Sequence, residues 1–276
     1  MKKIIVPVDF SPNACNALQY AINFANKVGA SIRIIFVKKD KNYENRFMVK
    51  EFANSGISKA EDLLKKIVDE NQSKLKTEFE YSVRHGNIAE EITNEAKYND
   101  AYMIIMGTHG ASGFQEFWMG SNAFRVVSSA PCPVITVPDK YKIKKIDKIV
   151  LPIDMSVATR EKVNFTAELA QTFNSKILIA GVSEGNYPRV VNKIKKYVEQ
   201  VEKLLDSKKI ENESFQLSGK NIADTIIDFS YENKARLISI MTEQVPNIAN
   251  AIMGTYAQQT VNHSNIPVLS IRPKIN

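Results

Sequence analysis

At 276 residues, with 44% hydrophobic and 24% charged side chains, the chain has the make-up of a folded globular protein and room for two domains of about 100–150 residues each. Disorder and low complexity are excluded, no apolar run approaches the roughly 20 residues of a membrane helix, and the opening run before Asp9 is too short for a signal peptide; a cytoplasmic protein without a membrane partner is expected. The net charge of +7 is spread over both halves, 18 basic and 16 acidic residues through Lys140 and 19 and 14 after it, and no nucleic-acid signature accompanies it, so no nucleic-acid partner is expected.

In chain order, Lys3–Val8 is a short apolar run closed by Asp9 and reads as a buried strand. Ala17, Ala21, Phe24, Ala25 and Val28 recur at helical spacing, so Asn13–Val28 is a predicted helix, stopped by Gly29. Ser31–Val37 follows as a second strand. Val49–Gln72 is a long helical stretch whose start is blurred by Asn54-Ser55-Gly56. Glu78–Arg84 is a third strand, Ile88–Tyr98 a helix, Ala101–Met106 a wholly apolar fourth strand, Ser121–Ser129 a helix and Val134–Val137 a last strand. Continuous apolar strands alternating with helices argue for a parallel sheet covered on both faces, the α/β class.

The chain then repeats itself. Lys3-Ile4-Ile5-Val6-Pro7-Val8-Asp9-Phe10-Ser11 returns as Lys148-Ile149-Val150-Leu151-Pro152-Ile153-Asp154-Met155-Ser156, 145 residues later. Asn87-Ile88-Ala89-Glu90 returns as Asn221-Ile222-Ala223-Asp224, and Pro133-Val134 as Pro267-Val268, both at an offset of 134. Such a period is far too long for a solenoid unit and marks two homologous domains, 1–140 and 147–276, joined near Pro138–Asp147. The second copy has strands near Ile149–Ile153, Ile177–Val182, Glu213–Leu217, Leu237–Ile240 and Val268–Ile271. The basic run Lys140–Lys145 reads as a solvated linker, and the apolar last strands suggest that the two domains pair with each other, with a homodimer of whole chains left open.

In a sheet of this kind ligands bind beyond the carboxyl ends of the strands. Three stretches emerge there in the first copy: Pro7-Val8-Asp9, Val37-Lys38, and Gly107-Thr108-His109-Gly110. Gly107 and Gly110 flank two residues, Gly110 and Gly120 flank nine, and Ser121 follows directly and opens a helix. Glycines let backbone N–H groups approach an anion, and a helix start offers unpaired N–H groups and a favourable dipole. Together these make a phosphate cradle in which the Ser121 hydroxyl serves as a further donor. Asp9, at the mouth of the first strand, suits the hydroxyls of a nucleoside, with turn capping as the alternative.

Other candidates read as structural. His109 is a loop residue without a fixed partner, Cys15 and Cys132 are packing residues, and Phe114, Phe117 and Trp118 form a flap or interface patch. Two cysteines make neither a disulfide framework nor a four-thiolate metal site, and no metal ligands of the protein's own are expected.

At these residues the sequence resembles the universal stress protein family, specifically its nucleotide-binding branch. That branch carries the pattern seen in Gly107, Gly110, Gly120 and Ser121, and the likeness extends to Val6-Pro7-Val8-Asp9-Phe10-Ser11, Gly86-Asn87-Ile88 and Ala130-Pro131-Cys132-Pro133-Val134. It covers essentially the whole chain as a tandem pair. The resemblance implies two Rossmann-like domains, each a five-stranded parallel sheet, with ATP at the strand ends. It places Pro7, Val8 and Asp9 on the adenine and ribose side, Val37 beside the base, and Gly107, Gly110, Gly120, Ser121 and Asn122 on the triphosphate with magnesium. No Gly-Lys-Ser/Thr ending follows the glycines, so the cradle is not a P-loop.

The second copy departs from the pattern. Met241, Thr242, Glu243 and Gln244 stand where the first has Gly107, Thr108, His109 and Gly110, and only Asp154, Gly254 and Thr255 survive. One nucleotide site per chain is therefore expected, with a degenerate second site. The function implied is a nucleotide-dependent sensor in stress response or survival; a slow ATP-cleaving or self-phosphorylating enzyme and a scaffold with a vestigial site are the alternatives. No catalytic residue is identified.

Overall fold

Among the described residues ten short segments pair as strands, most of them apolar and buried. In the computed structural model, which describes residues 1–39, 57–108, 120–156, 158–242 and 255–273, the chain divides into two units, Met1–Ile143 and Lys144–Asn276. The first unit has strands β1 (Lys3–Pro7), β2 (Ser31–Lys38), β3 (Phe79–His85), β4 (Met103–Gly107) and β5 (Val134–Val137). Its helices are α1 (Pro12–Val28), α2 (Ile57–Asn71), α3 (Ile88–Tyr98) and α4 (Ser121–Ser129). The strands run parallel in the order β3-β2-β1-β4-β5, with Lys3 of β1 opposite Ser31 and Ile4 opposite Met103.

The second unit repeats this with β6 (Lys148–Ile153), β7 (Lys176–Glu184), β8 (Asn212–Gly219), β9 (Leu237–Met241) and β10 (Val268–Ile271) in the parallel order β8-β7-β6-β9-β10. Its helices are α5 (Lys162–Phe173), α6 (Pro188–Ser207), α7 (Ile222–Glu232) and α8 (Thr255–His263). Two repeated α/β domains with Rossmann-like five-stranded parallel sheets is the architecture the sequence implies.

Local chemistry explains the boundaries. Ser11 caps α1, its hydroxyl accepting the Ala14 N–H at 3.2 Å, and Pro12 occupies the first turn, so the helix starts one residue before the predicted Asn13. Gly29, at φ 68°, closes it in the left-handed conformation. Asn87 and Asn221 cap α3 and α7 in the same way, each side chain accepting two backbone N–H groups. β4 begins at Met103 rather than Ala101, because the Ala101 N–H is spent on the Ala96 carbonyl at 2.9 Å, closing α3. The predicted helical stretch 49–72 is borne out from Ile57 to Asn71; residues 49–56 lie outside the described residues. The lysines of the basic run Lys140–Lys145 are exposed, as expected of a solvated segment, but Tyr141 packs edge-on against Tyr20 and its carbonyl accepts from Asn16 at 3.3 Å.

The two copies also solve one core position differently. In the first, Glu95 of α3 is 2% exposed and meets Arg33 Nε at 2.6 Å and Arg84 Nη2 at 2.8 Å, with Ser82 Oγ at 3.3 Å. Strand register and the 134 and 145 offsets put Phe229, Leu178, Leu217 and Phe215 at those four places, and the Phe215 and Phe229 rings meet edge-on at 4.9 Å. An ion network around one buried carboxylate in the first copy is an aromatic contact in the other, an exchange that costs little when all partners change together.

Candidate functional site

In the first unit the order reverses between β1 and β4, and the chain leaves both strands into the crevice there. Past β1, Val8 is buried and Asp9 exposed. The Asp9 carboxylate accepts the Ser11 N–H at 3.1 Å, so it caps its turn. Phe10 sits at φ 61°, an uncommon state for a non-glycine residue, and its ring packs on Phe36 at 5.1 Å. The turn carrying Asp9 is thus pinned on both sides. Val37, half-buried near the end of β2, lies one strand further out.

The β4 side is built by one hydrogen bond. Thr108 is 4% exposed; its N–H donates to the Val137 carbonyl at 3.2 Å, and its own carbonyl accepts the Gly120 N–H at 2.9 Å. The chain therefore departs at Thr108 and returns to the same point at Gly120, which sets the start of α4 beside the end of β4. The Phe124 N–H makes the first helical bond to Gly120, so the N–H groups of Ser121, Asn122 and Ala123 lie ahead of the intrahelical ladder. Ser121 is exposed and Asn122 half-buried. Gly120 has an ordinary φ of −54°, a backbone conformation open to any residue. Gly107 is different: a Cβ on it would come within 3.1 Å of the Asn13 side chain, so its bareness makes room for the first turn of α1.

Gly107, Gly120, Ser121 and Asn122 thus share one rim, with Pro7, Val8 and Asp9 on the neighbouring strand. His109, Gly110, Phe114, Phe117, Trp118 and Gly254 lie outside the described residues; of Thr255 the structure gives its place at the start of α8. Sequence reasoning missed Thr108 and Asn13, which hold the rim. Asn13 had a signal, since the 145 offset pairs it with Ala158 just as the 134 offset pairs Gly107 with Met241: the large and small partners trade places. Cys15, expected to pack, is exposed, and partial desolvation of its sulfur, with the Asp9 charge second, pushes its thiol up. Burial pushes the Cys132 thiol up to about 12. Neither sulfur is a ready nucleophile. Among the described residues no three His, Cys, Asp or Glu side chains form a metal-holding group, and no helix is long and apolar enough to cross a membrane.

At the corresponding place in the second unit the described residues are more deeply buried. Pro152 and Ile153 are buried, Val182 is 1% exposed where Val37 is half-buried, and Met241 is 6% exposed where Gly107 is half-buried. Asp154 again caps its turn, accepting the Ser156 N–H at 2.8 Å. Among the described residues that follow, a 3-10 turn, Ala158–Arg160, packs against β6 and β9, and α5 starts at Lys162. Lys162 is 2% exposed, and its ammonium donates to the Thr159 carbonyl at 2.8 Å and the Thr159 hydroxyl at 3.0 Å. Burial draws this lysine down to about 8, with Asp154 pulling the other way.

A model of the universal stress protein family matches residues 1–138 and again 145–272. The chain is 22% identical to universal stress protein Slr1230 of Synechocystis, covering 99% of this chain and 100% of that one. It is 31% identical over 150 residues to universal stress protein MJ0531 of Methanocaldococcus jannaschii, covering 51% of this chain and 84% of the relative. The crystal structure of a universal stress protein from Archaeoglobus fulgidus superposes with a TM-score of 0.79 over 98% of both chains at 19% identity, a likeness of fold.

Proposed function

The chain belongs to the universal stress protein family, and from that premise we propose that its first unit binds ATP, with magnesium, and acts in the stress response as a nucleotide-dependent sensor. The observation that carries this reading is the Gly120 N–H bond to the Thr108 carbonyl at 2.9 Å, because it sets a bare helix start beside the strand end at the crevice. A polyanion there meets the leading N–H groups of α4, the Ser121 hydroxyl and the positive end of the helix dipole. Asp9, exposed at the end of the adjacent strand, suits the sugar hydroxyls, and Pro7, Val8 and Val37 supply the apolar wall for a base. Magnesium enters on the phosphate oxygens, its preferred hard ligands. The residues support binding and orientation of the nucleotide, and no step of hydrolysis is assigned to them.

The test is mass spectrometry of whatever purified protein releases on denaturation, together with calorimetric titration of the full chain with ATP and magnesium. Release or saturable binding of a nucleotide, abolished by Gly120→Val, is the expected result. Unaltered affinity in Gly120→Val and Ser121→Ala would remove α4 from the site.

A further inference from the structure

The inner face of α5 and the turn before it is polar where α1 is apolar. At the places of Ala14, Ala17 and Ala21, all buried, the second unit has Thr159, Lys162 and Thr166, also buried. These lie three and four residues apart, on one face. The Thr166 hydroxyl bonds the Lys162 carbonyl at 2.8 Å and lies 2.7 Å from Ser239 Oγ on β9, where the first unit has Ile105. A lysine side chain leans toward the start of its helix, and this one reaches back to Thr159 in the turn seated against β6 and β9. These are the two strands between which the second unit's order reverses, so the ammonium stands under its ligand crevice.

We propose that Lys162 is a resident counter-ion of the second unit: held by Thr159 and facing Asp154, its ammonium takes up the crevice that in the first unit is open to a guest, and locks this unit against nucleotide. The lock accounts for Asp154. That residue survives from the nucleoside-facing motif, yet its carboxylate serves the Ser156 N–H and the field of an internal cation. It also accounts for the late start of α5, since a first turn placed as in α1 would leave no loop for the Lys162 ammonium to bond. The part that concerns nucleotide exclusion rests on the reading of the first unit; the lock itself does not.

The experiment uses the full chain. Acylation of lysines by N-hydroxysuccinimidyl acetate, read by peptide mass spectrometry, is expected to leave Lys162 at least tenfold slower than the exposed Lys193, Lys195 and Lys196, and Asp154→Asn or Thr159→Val is expected to speed it. Hydrogen exchange is expected to show the amides of 154–160 opening at least tenfold faster in Lys162→Ala, the residue of the first copy, with β8 unchanged. Lys162 acylating at the rate of its exposed neighbours, or no change in either readout on substitution, overturns the proposal. Two ATP sites in the wild-type chain overturn it as well. A chain that binds no nucleotide at all counts against the reading of the first unit, and the acylation and exchange results then decide on Lys162 alone.

Discussion

The two crevices are built on the same five-strand order and the same aspartate turn, and they differ in what fills the space above the switch point. In the first unit Ser11 starts a full helical turn, Asn13 packs over the bare Gly107, and the rim formed by Gly120 and Ser121 stays accessible. In the second unit the described residues at that place are a 3-10 turn, a buried lysine and the buried Met241. In the proposed lock the fold outlasts its ligand site because a buried group finds an internal partner: Thr159 accepts two hydrogen bonds from the Lys162 ammonium, and the Asp154 charge favours its protonated form.

The core exchange gives the largest effect by which this comparison can be broken. Glu95→Ala removes the buried carboxylate shared by Arg33, which keeps Glu80 at 2.8 Å, and by the more exposed Arg84, and is expected to destabilise the first unit by about 2–3 kcal/mol, read as the urea midpoint of its β2 and β3 amides. Installing the second unit's set together, Arg33→Leu, Ser82→Phe, Arg84→Leu and Glu95→Phe, is expected to recover most of that loss. No recovery would mean that the two cores are not interchangeable.

Lys162 comes next. Its folded-state value lies below that of the unfolded chain, so between about pH 8 and 10.5 the unfolded state binds more protons and stability rises with pH. Wild type is expected to gain up to roughly 3 kcal/mol across that window relative to Lys162→Met, which has nothing to titrate there. Parallel pH profiles for the two proteins would show that the lysine is not buried as described.

Ser121→Ala is expected to weaken ATP binding by about 1–2 kcal/mol, the scale of one hydrogen bond to a charged group, without changing the melting temperature of the free protein. Calorimetry checks the first and scanning calorimetry the second.

The smallest difference is expected where the units agree. Asn87→Ala and Asn221→Ala each remove a cap that satisfies two N–H groups, and both should cost about 1 kcal/mol. Unequal losses would point to different surroundings for α3 and α7.

Much of this architecture was legible in the residues. Repeats at 145 and 134 gave the duplication, and helix and strand limits such as Ile88–Tyr98, Ser121–Ser129 and Val134–Val137 followed from caps, glycines and apolar runs. The burial of Lys162 was not, for a physical reason. A lysine in a helical pattern is ordinarily assigned to the solvent face, and its burial depends on Thr159 and Asp154 arriving from the preceding turn. The signal was nevertheless present, because Lys162 stands 145 residues after Ala17, on the face that helical spacing assigns to the core. Gly107 was legible as a required glycine, although its visible neighbour is Asn13, a contact between β4 and α1 that no local spacing reveals.

The central claim is that one crevice is open and the other shut. Titration of the intact chain with ATP and magnesium, followed by the same titration of Gly120→Val, tests it most directly. The account predicts one site per chain in the first protein and none in the second; two sites, or binding that survives Gly120→Val, would contradict it.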